Sequence, residues 1–139
     1  MEIRNARQSD APSVALIHRE CLESSFLASL GENFLALLYA ALAGYQGGIL
    51  IVAEGEGEII GFVSGTENPR DFFRVFLKKN LFPAFFLLLP KLFCPRVLSK
   101  IGETLRYGNR DSSAKVPDAE LLSIAVKPAF QGTGVSREL

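Results

Sequence analysis

A chain of 139 residues with fifteen basic and fifteen acidic side chains, and 48% hydrophobic positions, has the composition of one ordered globular domain and not of a disordered tail. Its polar start, MEIRNARQSD, carries no secretory signal. Its two cysteines, Cys21 and Cys94, make neither a disulfide framework nor a zinc spacing, which places the chain in a reducing cytoplasm. One histidine, His18, cannot by itself build a His-dependent metal site or a Ser-His-Asp triad with evident partners, so no metal is expected.

In chain order, EIRNA reads as a first short strand. Ser9, Asp10, Ala11 and Pro12 then supply cap residues and a first-turn proline, the signature of a helix start. Val14, Ile17 and Cys21 share a face at helical spacing with His18 beside them, which predicts a packed or boundary histidine and not a catalytic one. A second helix fits residues 32–45, where Phe34, Leu37, Leu38, Ala41, Leu42 and Tyr45 follow the 3.6-residue period. Gly44, Gly47 and Gly48 end it. GILIVAEGEG and EIIGFVSGT, parted by Glu56-Gly57-Glu58, predict an antiparallel hairpin.

The balanced total charge hides an asymmetry. Residues 70–115 hold ten of the fifteen Lys/Arg residues, only three acidic ones, and seven of the eleven phenylalanines. This basic, aromatic segment predicts two or three helical pieces, interrupted at Pro83, Pro90 and Pro95, inserted within the single domain 1–139. Three readings of it compete. Its helices pack Phe and Leu on the sheet with their cations in solvent; it forms a substrate-side lid that favours an acidic acceptor; or it contacts a membrane surface. Its longest apolar run is about half a membrane span, so it does not cross a bilayer. No nucleic-acid module accompanies the charge. Residues 109–115 read as a loop.

The last strand, residues 119–126, ends at Pro128 and runs into Gln131, Gly132, Thr133 and Gly134, where a helix starts. The first turn of a helix leaves backbone N–H groups without partners, and glycines let those amides approach a ligand closely. A pyrophosphate suits such a turn. A Walker A loop is excluded because Gly-Lys-Ser/Thr is absent. A dinucleotide fingerprint needs a third glycine where Arg137 sits and a βαβ unit before it.

The run from Val126 to Ser136 resembles the acetyl-CoA-binding motif of the GNAT superfamily of N-acetyltransferases, Gln/Arg-x-x-Gly-x-Gly/Ala directly after a strand ending Val-x-Pro. Gln131 and Gly134 fit it, and Ser136 replaces the final small residue. The order of elements in residues 1–69 is also similar to that family's N-terminal portion. The resemblance implies an α/β (α+β) fold with a mixed, largely antiparallel sheet flanked by helices. It implies that the main chain of Gln131, Gly132, Thr133, Gly134, Val135 and Ser136 holds the pyrophosphate of acetyl-CoA, while Ile124, Ala125 and Val126 form the strand along which the pantetheine arm lies. The family's later strands and helix, and the tyrosine that usually protonates the leaving thiolate, do not follow, so a C-terminally truncated domain is expected, one that binds CoA poorly.

Acetyl transfer needs the acceptor as free amine, and a Lys-like amine of pKa about 10.4 costs roughly 4–5 kcal/mol to deprotonate at pH 7. A general base offsets part of that cost. Glu120 is the first candidate, because strict alternation places it on the face of Leu122, Ile124 and Val126; Glu67 is the reserve. The expected activity is acetyl transfer to a small-molecule or peptide primary amine by direct attack in a ternary complex, and a homodimer stays open. The alternative is a non-catalytic CoA-binding or interaction module that uses residues 70–115.

Overall fold

Eight residues rich in Ile, Leu and Val, then two with positive φ, then nine that are mostly buried make the hairpin at the centre of the fold. The computed structural model describes residues 1–91, 93–96, 98–99 and 119–139; the loop expected at 109–115 lies outside the described residues. β1 (Glu2–Asn5), β2 (Gly48–Gly55), β3 (Glu58–Thr66) and β4 (Glu120–Val126) form an antiparallel sheet in the order β1-β2-β3-β4. Glu56 (φ 55°) and Gly57 (φ 83°) are both left-handed. That is the backbone twist a two-residue hairpin turn requires, and the flanking Gly55 and Glu58 pair directly.

The helices cover one face. α1 (Ala11–Cys21) begins with Pro12 in its first turn, and α3 (Glu32–Ala43) is capped by Gly44 and ends two residues short of Tyr45. Between them lies a helix that the sequence reading lacked, the single turn α2 (Phe26–Ser29). It is capped by Ser25, whose hydroxyl accepts from the Ala28 N–H at 3.1 Å. Val14, Ile17, Leu35, Leu38 and Leu42 from α1 and α3 bury against Leu50, Val52 and Phe62 of the sheet. A smaller cluster, Ala53, Ile60, Val126 and Val135, fills the opposite face under α5 (Val135–Glu138). Arg4 of β1 binds Asp10 and Glu54, each at 2.7 Å, and so fastens β1 to β2 and to the turn that precedes α1.

The basic, aromatic segment forms helical pieces, as expected, but the first break is displaced. α4 (Pro69–Leu88) is two helical stretches joined at a kink at Asn80 (φ −119°, ψ 23°), three residues before Pro83. Proline lacks the N–H that would bond the Lys79 carbonyl, and its ring presses on that same carbonyl, so the bend appears one turn upstream. Asn80 eases it, since its side-chain amide donates to the Phe76 carbonyl at 3.1 Å. Phe72, Phe76 and Ala84 are the buried residues of α4. Phe76 meets Phe34 edge-on, and Phe72 meets Tyr45. At Pro90 the chain tightens into the 3-10 turn Leu89–Lys91.

Candidate functional site

Three features converge on the edge of β4. The first is the strand itself. The Lys127 N–H donates to the Ile60 carbonyl at 2.8 Å. Antiparallel alternation then aims the backbone groups of Ala125 at β3 and those of Ile124 and Val126 at the outer edge, where no described strand pairs with them. The second is the glycine turn. Gly132 (φ 80°) and Gly134 (φ 93°) are left-handed, and a Cβ added at either would meet nothing within 4 Å. The third is a cleft of about 350 Å³ that joins the two, with Cys21 and Leu22 of the α1 end facing Ile124, Val126, Gln131 and Ser136.

Among the described residues, the N–H groups of Gly132, Gly134, Val135 and Ser136 have no protein acceptor, whereas Gln131 and Thr133 donate weakly back to Pro128 and Phe130, at 3.3 and 3.4 Å. Successive amides left open at a left-handed turn form a concave set of donors, a main-chain anion site that needs no side-chain charge. Val135 is buried in the smaller core, and of these four residues Gly132 and Ser136 line the cleft. The Gln131 side chain has a local duty. Its amide donates to the Val126 carbonyl at 3.0 Å and fastens the turn to the end of β4. The Cys21 thiol donates to that same carbonyl at 3.4 Å.

This corrects one expectation. The Val126 carbonyl already has two donors, so the main-chain groups free at this edge are the Val126 N–H and both groups of Ile124. Cys21 and Leu22, the opposing wall, were not legible as site residues in the sequence, because α1 meets β4 across more than a hundred residues.

A second correction concerns Glu120. A bulge at Leu122 breaks the β3–β4 ladder, so Ser64 pairs with Ser123 while Gly65 pairs with Leu121 and Thr66 with Glu120. Directly paired residues share a face, so Glu120 lies on the face of Thr66, Ser64 and Ser123, not on that of Ile124 and Val126. Gly65 permits the bulge: a Cβ there would sit 3.0 Å from the Glu120 carbonyl oxygen. Glu120 and Glu67 are both exposed at this end of the sheet. Their directions diverge. Glu67 follows β3 onto the β2 side, where its N–H donates to the Gly47 carbonyl at 2.9 Å and its carboxylate lies over Gly47, 3.3 Å from where a Cβ would stand. Glu120 opens β4, roughly 20 Å from Val126 along the strand.

Behind β4 runs a buried polar chain. His18, fully buried, has Nδ1 at 2.6 Å from the Tyr39 hydroxyl and Nε2 at 2.9 Å from the Ser25 hydroxyl. Its ring stacks on Phe62. Burial pulls the His18 imidazole below its ordinary range, which keeps it neutral, so one ring nitrogen donates and the other accepts. Burial also pushes the Tyr39 phenol up to about 12, against hydrogen bonding by Ser123 and Ser64. Ser64 in turn donates to the Ser123 carbonyl at 3.1 Å. The packed histidine expected from the helical face is therefore also the link between the Ser25 and Tyr39 hydroxyls. No group of acidic, histidine or cysteine side chains among the described residues could hold a metal ion.

The model of the acetyltransferase (GNAT) family matches residues 12–139. A structure solved as the crystal structure of an acetyltransferase superposes with a TM-score of 0.53 over 100% of this chain and 70% of its own length, at 18% identity. At that identity the likeness concerns the fold: helices over a largely antiparallel sheet. No curated protein matches the sequence.

Proposed function

The chain belongs to the acetyltransferase (GNAT) family, an acyltransferase family, and from that premise we propose that it transfers an acetyl group from acetyl-CoA to a primary amine by direct attack in a ternary complex. The observation that carries this reading is the set of unpartnered N–H groups at Gly132, Gly134, Val135 and Ser136, of which Gly132 and Ser136 line a cleft that runs along the outer edge of β4. Those amides would receive the diphosphate, and the free groups of Ile124 with the Val126 N–H would receive the amide-bearing pantetheine arm as an added strand does. Acetyl-CoA supplies the electrophilic thioester carbon.

The remaining chemistry belongs to this chain. The amine nitrogen forms a bond to the thioester carbon, the C–S bond breaks, and the thiolate leaves with the electron pair. The acceptor loses a proton, which Glu120 takes directly or through water. Glu120 is preferred to Glu67 because it opens the cofactor strand, whereas the Glu67 carboxylate turns toward Gly47 on the far side of β3.

Isothermal titration with acetyl-CoA, followed by a screen of amine acceptors for CoA release, tests the proposal. Binding with amine-dependent release supports it. Binding without turnover on any amine replaces it with a non-catalytic CoA-binding module, and absence of binding removes both.

A further inference from the structure

The outer surface of α4 is patterned in a way that its packing against α3 does not use. Residues four apart on a helix stack into rows. The kink at Asn80 divides the rows: Phe73 and Leu77 stand exposed before it, and Leu81, Phe85 and Leu89 after it. Beside them stand Arg70, Arg74 and Lys78 in the first half and Phe82 and Phe86 in the second, so the first half is cationic and the second aromatic. Phe82 is 76% exposed and Phe86 67%, and Phe93, just beyond, is 87% exposed. Eight of the fourteen large apolar side chains that stand exposed among the described residues fall between Phe73 and Phe93. A concentration of exposed apolar side chains of this kind marks an interaction face.

Charge selects the occupant. If a second copy covered the face with the helices parallel, the Arg70, Arg74 and Lys78 rows would abut. If the helices were antiparallel, three cations would lie against phenyl rings, a cation–π contact that is weak at exposed sites, with no carboxylate to pair with them. The one acidic residue of α4, Asp71, lies at the start of the helix and accepts from the Tyr45 hydroxyl at 2.8 Å. An anionic lipid surface meets both halves at once. Its phosphates face the cationic half, and the phenyl rings enter the boundary between headgroups and acyl chains. No helix among the described residues is long and apolar enough to cross a membrane, so such contact would be lateral.

We propose that the outer face of α4 is a docking surface for anionic lipid bilayers, held by Arg70, Arg74 and Lys78 and inserted through Phe82, Phe85 and Phe86. This contact is independent of the acetyl-transfer reading and leaves the β4 cleft on another part of the molecule.

Co-flotation of the full chain tests it, with vesicles of phosphatidylcholine alone and of phosphatidylcholine mixed with phosphatidylglycerol. The expected result is flotation with the mixed vesicles only, lost as salt rises toward roughly 0.5 M. Neutralising Arg70, Arg74 and Lys78 to Gln should weaken binding roughly fivefold per charge removed. The double variant Phe82→Ser, Phe86→Ser should abolish flotation while circular dichroism stays that of the parent, because both side chains are outside the core. Equal flotation with both vesicle types, flotation that neither variant reduces, or absence of flotation overturns the proposal. So does concentration-dependent dimerisation that the double Ser variant abolishes, which would make the face a contact between copies.

Discussion

His18 Nδ1 stands 2.6 Å from the Tyr39 hydroxyl, a buried contact that joins α1 to α3 directly behind the sheet. Its energetics depend on pH. Burial lowers the folded-state pKa of His18, so the unfolded chain binds the proton more readily. The stabilising contribution is complete above the unfolded value of about 6.5 and is lost as pH falls below it. Tyr39 gives the opposite limb. Its phenol is raised to about 12, so stability is retained below pH about 10 and lost above it as the unfolded chain ionises first. Denaturant titrations from pH 5 to 11 should show both losses. His18→Gln should flatten the acid limb and Tyr39→Phe the alkaline one; an acid limb unchanged in His18→Gln would assign it to other groups.

Phe62 ties this polar chain to the apolar core. It is fully buried, stacks on His18 with centroids 6.2 Å apart, and meets Tyr39 edge-on at 5.3 Å. Truncation to Ala should cost about 3–5 kcal/mol, a large share of the roughly 5–15 kcal/mol that holds a domain of this size. Phe62→Leu should cost clearly less. Thermal unfolding of the two variants checks the order.

At the glycine turn, Gly132→Ala places a methyl group in the open space before the unpartnered amides and forces an L residue to φ near 80°. Acetyl-CoA binding by titration should weaken roughly tenfold or more, the scale of one charge-assisted hydrogen bond. Thr133→Ala, whose hydroxyl only closes the local turn on the Phe130 carbonyl, should bind as the parent does. Equal affinities for all three proteins would argue against a diphosphate at this turn.

For the proton transfer, Glu120→Gln should lower amine-dependent CoA release roughly a hundredfold or more at neutral pH. The loss should shrink as pH approaches the acceptor's own pKa, where free amine is abundant. Glu67→Gln should keep most of the activity. The reverse ranking would move the base to Glu67.

The fold was readable from sequence wherever one segment's own period decides its structure. Val14, Ile17 and Cys21 marked α1, Leu38 and Leu42 marked α3, and Glu56-Gly57 marked the hairpin. α2 was not readable, since a single turn shows no periodicity and only the Ser25 cap announces it. Pro83 announced a break but not its position, because the proline acts on the preceding turn and the non-helical residue is Asn80. The main-chain part of the site could be read from Gln131, Gly132 and Gly134, whose roles are local. The placement of Glu120 could not, because the bulge at Leu122 arises from how β4 meets β3. Nor could Tyr39 be joined to His18, since no local pattern connects residues on two different helices.

The same bulge has a bearing on solubility. A strand whose outer rim pairs with no described neighbour is a template on which other chains can add, and Leu121 and Ile124 make this rim apolar as well. The irregularity at Leu122 leaves only a few residues of flat ladder before Pro128, with Glu120 at one end and Lys127 at the other. That is too short and too charged at its ends to seed stacking easily. Removing the kink by deleting Leu122 should therefore make the protein more prone to form fibres, a change that thioflavin fluorescence would register even with the fold intact.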